Sequence, residues 1–168
     1  MFGRFLTLMH LSRFTPPALL GPFLCPLALI AQVLFSDDFS AGNTSEWSVY
    51  GGTWTVADEV ISGTGGAGIK MVTEQVFSDF TFEADIRTGS PGEAGVIFRV
   101  ANPAEGTDAF SGYYAGINTK TQTAVLGKMN NDWTMIAMRN IPVTSETPMY
   151  YLAQYHDVYD SVFQDRYP

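Results

Sequence analysis

From residue 47 to residue 138, apolar and polar positions alternate in short runs, and Gly, Asn, Asp or Pro separates one run from the next. A period of two places successive side chains on opposite faces of a strand. The pattern predicts strands at 47–50, 53–57, 60–64, 69–72, 80–88, 95–100, 112–118, 123–128 and 133–138. Between them fall Gly51-Gly52, Asp58-Glu59, Gly65-Gly66, Gly89-Ser90-Pro91-Gly92, Asn102-Pro103 and Asn130-Asn131-Asp132. No helical period runs through residues 36–145. Turn signals at roughly 8–12-residue spacing predict an all-β domain, an antiparallel sandwich or barrel.

The alternation is cleanest over residues 80–87. Phe80, Phe82, Ala84 and Ile86 share one face, and Thr81, Glu83, Asp85 and Arg87 share the other. The next run puts Val96, Phe98 and Val100 on one side and Gly95, Ile97 and Arg99 on the other. If these two strands are neighbours with their phenylalanines inward, Glu83, Asp85 and Arg99 lie on one outer sheet face. An uncovered face with charge, small residues and aromatics is where such a sandwich holds a polar ligand.

Composition narrows the partners. Hydrophobic residues make up 46% of the 168, which excludes whole-chain disorder. The formal charge of −8 repels phosphate backbones and argues against nucleic acid. Residues 1–31 stand apart: they hold Arg4 and Arg13, no acid, and an apolar run from Ala18 to Ala31. This is the pattern of a secretory leader, with cleavage expected after Ala31. A membrane anchor is the alternative, but Pro22 and Pro26 would break its helix and no basic stop signal follows. Cleavage removes Cys25, the sole cysteine, and so excludes disulfides, zinc–thiolate sites and a cysteine nucleophile from the mature chain. The expected organisation is a leader at 1–31, a β domain at 32–145 and a divergent tail at 146–168, in which residues 150–154 could begin a strand. The expected location is extracellular, free of the membrane. Asn43-Thr44-Ser45 is a glycosylation sequon, making Asn43 a candidate glycan site.

An ordered series of residues carries a resemblance. It runs Asp37-Asp38-Phe39-Ser40, Trp47, Gly52-Thr53-Trp54-Thr55-Val56, Ser78-Asp79-Phe80-Thr81-Phe82-Glu83-Ala84-Asp85, Ala94-Gly95-Val96-Ile97-Phe98-Arg99-Val100, Gly112-Tyr113-Tyr114-Ala115-Gly116-Ile117, Val125-Leu126-Gly127-Lys128 and Trp133. Over residues 36–145 the chain resembles concanavalin A-like jelly-roll modules. In particular it is similar to the family-66, levan- and fructan-binding carbohydrate-binding modules of secreted glycoside hydrolases. The resemblance implies two antiparallel sheets and a sugar-binding role without catalysis. It places Glu83, Arg99 and Tyr113 or Tyr114 at or near the sugar. Such modules continue past Trp133 with several more strands and close on a Phe-Asp-Asn-type strand, whereas this chain departs soon after Tyr151. The departure implies that one sheet is incomplete at its C-terminal end.

The residue chemistry is compatible with that role. Carboxylates accept bonds from vicinal hydroxyls, Arg donates a planar fork, and aromatic rings cover the C–H face of a sugar. Glu83, Asp85 and Arg99 supply the polar groups, and Tyr113, Tyr114 and Trp133 supply rings; the expected partner is a polysaccharide or oligosaccharide. The bland alternative makes Glu83 and Arg99 a solvated cross-strand ion pair. Trp47 and Trp54 read as core. A glycoside hydrolase of the same fold is a second function: Glu83-Ala84-Asp85 resembles the start of the Glu-x-Asp-x-x-Glu strand of laminarinase-type enzymes, but Arg87 and Thr88 stand where the further carboxylate should be. A structural or adhesion module, or a nonfunctional fragment, is the third. No cofactor is expected; Asp37, Asp38 and Asp58 are the candidates for Ca²⁺, without a recognisable ligand spacing. The glycines between 63 and 68 precede no helix and read as a hairpin, not a phosphate loop.

Overall fold

The computed structural model describes residues 3–6, 33–78, 80–89, 91–145 and 149–155. Its strands are β1 (Gly3–Leu6), β2 (Trp47–Tyr50), β3 (Thr53–Ala57), β4 (Val60–Thr64), β5 (Lys70–Thr73), β6 (Phe80–Thr88), β7 (Glu93–Ala101), β8 (Ser111–Asn118), β9 (Thr123–Asn130), β10 (Trp133–Asn140) and β11 (Met149–Tyr155). A five-stranded sheet has the order β11-β6-β1-β4-β3, a four-stranded sheet the order β10-β9-β8-β7, and β2 and β5 form a two-stranded ribbon. Every pair is antiparallel. The expected all-β antiparallel sandwich is therefore the fold.

The core follows from the alternation. Phe80, Phe82, Ala84 and Ile86 of β6 are buried, and they pack with Ala94 and Ile117 of the facing sheet and with Phe35, Ile141 and Val143 from the connecting segments. Ile86 and Ile117 are fully buried, and each such side chain contributes about 2 kcal/mol through lost apolar surface. Asp58 and Glu59 both take positive φ, 51° and 59°, as a two-residue turn between β3 and β4 demands. The chain crosses between sheets after β6. There the hydroxyls of Thr88 and Thr119 meet at 3.2 Å in the interior, and Thr119 also accepts the Gly92 N–H at 3.1 Å.

Two aromatic side chains fix the N-terminal corner. Trp47 donates its indole N–H to Asp37 at 2.7 Å and packs between Phe35 and Phe39 at centroid distances of 5.7 and 6.1 Å. Trp54 donates to the Gly51 carbonyl at 3.1 Å and covers Gly63, where an added Cβ would lie 2.8 Å from the ring. Both therefore serve the frame, as the sequence predicts.

The loop between β7 and β8 is pinned by Lys70, which is only 7% exposed. Its ammonium donates to the carbonyls of Ala104 and Gly106 at 2.7 and 2.8 Å and lies 5.9 Å from the centre of the Phe110 ring. Burial lowers its pKa, while the charges of Asp108 and Glu105 oppose that shift. Nothing in the sequence singles this lysine out, because its partners are backbone oxygens more than thirty residues away.

Gly3–Leu6 fall within the span expected to be a leader, yet β1 is the middle strand of the five-stranded sheet, paired with β4 on one side and β6 on the other. The other residues of the leader, and the tail apart from β11, lie outside the described residues. No helix among the described residues is long and apolar enough to cross a membrane.

Candidate functional site

The expected grouping of Glu83, Asp85 and Arg99 does not form. β6 and β7 are consecutive in sequence but belong to different sheets. Glu83 and Asp85 lie on the outer face of the five-stranded sheet, where β6 pairs with β1 and β11. Burial raises the Asp85 pKa above its ordinary value. Arg99 sits in the four-stranded sheet at a bulge between Phe98 and Ala101, with φ of 55°, and donates to the Phe77 carbonyl at 3.4 Å. The bulge takes Arg99 out of the alternation that its sequence suggests. Tyr113 faces inward and stacks on Phe98 with centroids 5.4 Å apart. Of the expected site residues, Glu83 and Asp85 share one outer face, and Tyr114 and Trp133 meet on the other sheet.

They meet on the outer face of the four-stranded sheet. Cross-strand partners share a face, so the register sets Gly95 beside Gly116 and Val125, and Ile97 beside Tyr114 and Gly127. Further out, Met129 pairs with Trp133, Gly127 with Met135 and Val125 with Met138. The glycines clear room for the rings. A Cβ at Gly95 would lie 2.6 Å from the Tyr114 ring, and one at Gly116 would collide with the Tyr114 hydroxyl. A Cβ at Gly127 would collide with Trp133. The two rings meet edge to face at 6.0 Å and 74°, forming an aromatic corner rather than a flat shelf.

A polar pair closes one end of this strip. Asn118 lies opposite Glu93 and donates its amide to the Glu93 carboxylate at 2.7 Å. Asn118 is itself oriented by the turn after β8, its side-chain oxygen accepting the N–H groups of Lys120 and Thr121 at 2.9 and 3.0 Å. Burial, and behind it the charge of Glu93, pushes the Tyr114 phenol well above the ordinary range, so it stays a protonated donor. Sequence reasoning missed Glu93 and Asn118. The usable signal was Gly116 and Gly127, which mark a face where a ring lies on backbone.

A second, polar concavity of about 220 Å³ is lined by Ser36, Asp37, Asp38, Ala41, Asn43, Ser45 and Glu46. Its two aspartates are engaged in turns. Asp37 accepts the Phe39 N–H at 2.8 Å as well as the Trp47 indole, and Asp38 accepts the Ser40 N–H at 2.9 Å, which holds its pKa below the usual range. Asp58 lies apart, in the β3–β4 turn. Among the described residues no three His, Cys, Asp or Glu side chains group as a metal site. Asn43 is exposed, donating to the Ala41 carbonyl at 3.1 Å and accepting the Ser45 N–H at 2.9 Å.

The two-sheet frame with this outer face defines a β-sandwich of the concanavalin A-like class. A solved structure similar to it is the carbohydrate-binding module CBM66 from Bacillus subtilis, with a TM-score of 0.59 and 24% identity, covering 68% of this chain and 70% of that one. The fold expected from the motif series is thus the fold found. The sequence profile of the 3-keto-alpha-glucoside-1,2-lyase-like domain family matches residues 31–151, and the chain belongs to that family. The matched span takes in β2 to β10 and leaves β1 outside. No curated protein sequence matches the chain.

Proposed function

We propose that the chain is a noncatalytic carbohydrate-binding module that takes an extracellular polysaccharide, or its terminal sugar, on the outer face of the four-stranded sheet. The observation that carries this reading is the juxtaposition of the Tyr114–Trp133 corner with the Glu93–Asn118 pair. Rings supply an apolar platform for the C–H face of a sugar, and an adjacent carboxylate and amide supply acceptors and donors for its hydroxyls. The similar solved structure is itself a carbohydrate-binding module, which supports the class of ligand. Export to the cell exterior belongs to the proposal, with Gly3–Leu6 kept in the sheet as β1 and not lost by cleavage after Ala31, and it would bring the exposed Asn43 to a glycosylating compartment where the host has one.

The family description favours a second reading, an enzyme acting on a glucoside. On the outer face defined above, Glu93 is the carboxylate available as a base, and the Tyr114 phenol does not ionise in the physiological range. Glu83 and Asp85, on the other sheet, supply no partner for it. Titration calorimetry of the full chain against levan, inulin, arabinan and β-glucan tests the binding reading. Heat of binding to at least one polymer, without release of reducing sugar, is expected, and Glu93→Gln should weaken it by roughly ten-fold, the loss of one charged hydrogen bond. Sugar release that Glu93→Gln abolishes would establish the enzyme instead.

A further inference from the structure

Lys70 is a buried charge on β5, in the two-stranded ribbon and so outside the sheet that carries Tyr114 and Trp133. Its two bonds to the carbonyls of Ala104 and Gly106 fall at a crowded junction. A Cβ at Gly68 would collide with Gly106 and Thr107, so the β7–β8 loop rests directly on the backbone that leads into β5. The Ala104 N–H donates to the Ala109 carbonyl at 2.8 Å and closes the loop on itself. The loop ends in Phe110, which is buried and turns its ring towards the Lys70 ammonium. Bonds from an ammonium to carbonyls are charge-assisted, and this pair is withdrawn from water.

From Phe110 the connection runs on to the aromatic corner. The Phe110 carbonyl accepts the N–H of Asn131 at 3.2 Å, in the turn between β9 and β10. The Ser111 hydroxyl donates to Oδ1 of Asn130 at 3.3 Å in the same turn. Inside the turn, Asn130 donates its N–H to the Asp132 carbonyl at 3.1 Å, and Oδ1 of Asp132 accepts the Trp133 N–H at 2.9 Å. Trp133 follows at once, with its ring laid on Gly127 and set against Tyr114. We propose that Lys70 is a positioning residue for the carbohydrate platform: through the 104–110 loop it fixes the β9–β10 turn, and with it the Trp133 ring. The ladders of β7, β8 and β9 do not depend on Lys70, so its loss loosens the turn and leaves the sheet. The use of this link in binding rests on the carbohydrate reading, whereas the link itself does not.

Tryptophan fluorescence of the full chain reads the link without a ligand. Subtracting the spectrum of Trp133→Phe isolates the Trp133 emission, and the same subtraction is made in the Lys70→Met background. Lys70→Met, held at a temperature where its melting curve shows it folded, should move that emission to longer wavelength and open it to acrylamide quenching. Ile86→Val, which thins the core away from this path, should leave the emission in place. Where Lys70→Met does not fold, Ser111→Ala cuts the same path at an exposed bond and should shift the emission the same way by less. Calorimetry with whichever of levan, inulin, arabinan and β-glucan binds gives a second readout. Lys70→Met should weaken binding by roughly ten-fold, yet weaken Trp133→Ala no further, because both act through one ring. An unmoved Trp133 emission in the folded variant, an equal shift in Ile86→Val, or losses that add in the double variant would each overturn the proposal. A wild-type chain that binds none of the four polysaccharides would overturn the carbohydrate reading, and the emission would still decide the role of Lys70.

Discussion

The two sheets turn opposite kinds of surface to solvent. The five-stranded sheet presents Thr53 and Thr55 of β3, Ser62 and Thr64 of β4, and Thr81, Glu83, Asp85 and Arg87 of β6. The four-stranded sheet presents Ile97, Tyr114, Val125, Trp133, Met135 and Met138, spaced by Gly95, Gly116 and Gly127. Both alternate with a period of two and both bury their other face. A polar outer face needs only water, whereas an apolar one kept open, with rings laid on glycine and a carboxylate at its end, has a use for something other than water. On the proposed reading, the difference teaches that outward aromatics with the backbone cleared beneath them point to a site more directly than charged outward positions do.

The largest expected effect tests the integrity of the polar sheet. β1 is the strand that joins β6 to β4, so a chain of residues 32–168 should lose cooperative unfolding or melt lower by more than about 10 °C. Melting indistinguishable from that of the full chain would contradict the place of β1. Next comes the apolar face. Tyr114→Ala leaves the floor of Gly95 and Gly116 uncovered and should cost about 2–3 kcal/mol in urea unfolding, while Glu83→Ala should stay within about 0.5 kcal/mol. Equal costs would erase the distinction between the sheets.

Smaller effects sharpen the same contrast. Lys70→Met strands the carbonyls of Ala104 and Gly106 and should cost about 1–3 kcal/mol. The folded chain gives up the Lys70 proton more readily than the unfolded chain, so this group's contribution to stability rises as pH climbs from its lowered folded pKa through the ordinary 10.5. The variant should lack that rise in pH-dependent melting. Asp85 has the opposite sign. Its folded pKa is raised, so its contribution is present below the ordinary 3.8 and is lost as pH rises through the folded value. Asp85→Asn should therefore raise the melting temperature at neutral pH by about 1–2 °C and flatten the profile above the ordinary 3.8. A lower melting temperature at pH 7 would show that the carboxylate is stabilised by a partner.

Much of the frame was legible in the sequence because alternation encodes strands directly. The predicted strands at 47–50, 53–57, 60–64 and 80–88 coincide with β2, β3, β4 and β6, and the others differ only at their ends. Which sheet each strand joins was not legible. The four residues 89–92 can close a hairpin or cross between layers, and the crossing is settled by the buried Thr88–Thr119 contact, a link across 31 positions. Treating β6 and β7 as neighbours put Glu83 and Arg99 on one imagined face. Tyr114 and Trp133 were within reach from residue type, whereas Glu93 became visible only through its register with Asn118. β1 was not legible because Gly3–Leu6 lie in an apolar, basic N-terminal segment with no clear alternation.

Titration calorimetry of the full chain, run on Trp133→Ala beside Glu83→Ala with whichever of the four polysaccharides binds, puts the central claim to its most direct test. The account predicts at least roughly ten-fold weaker binding for Trp133→Ala, the loss of one ring platform, and unchanged binding for Glu83→Ala. Binding that survives in Trp133→Ala and fails in Glu83→Ala would move the site to the opposite sheet and contradict it.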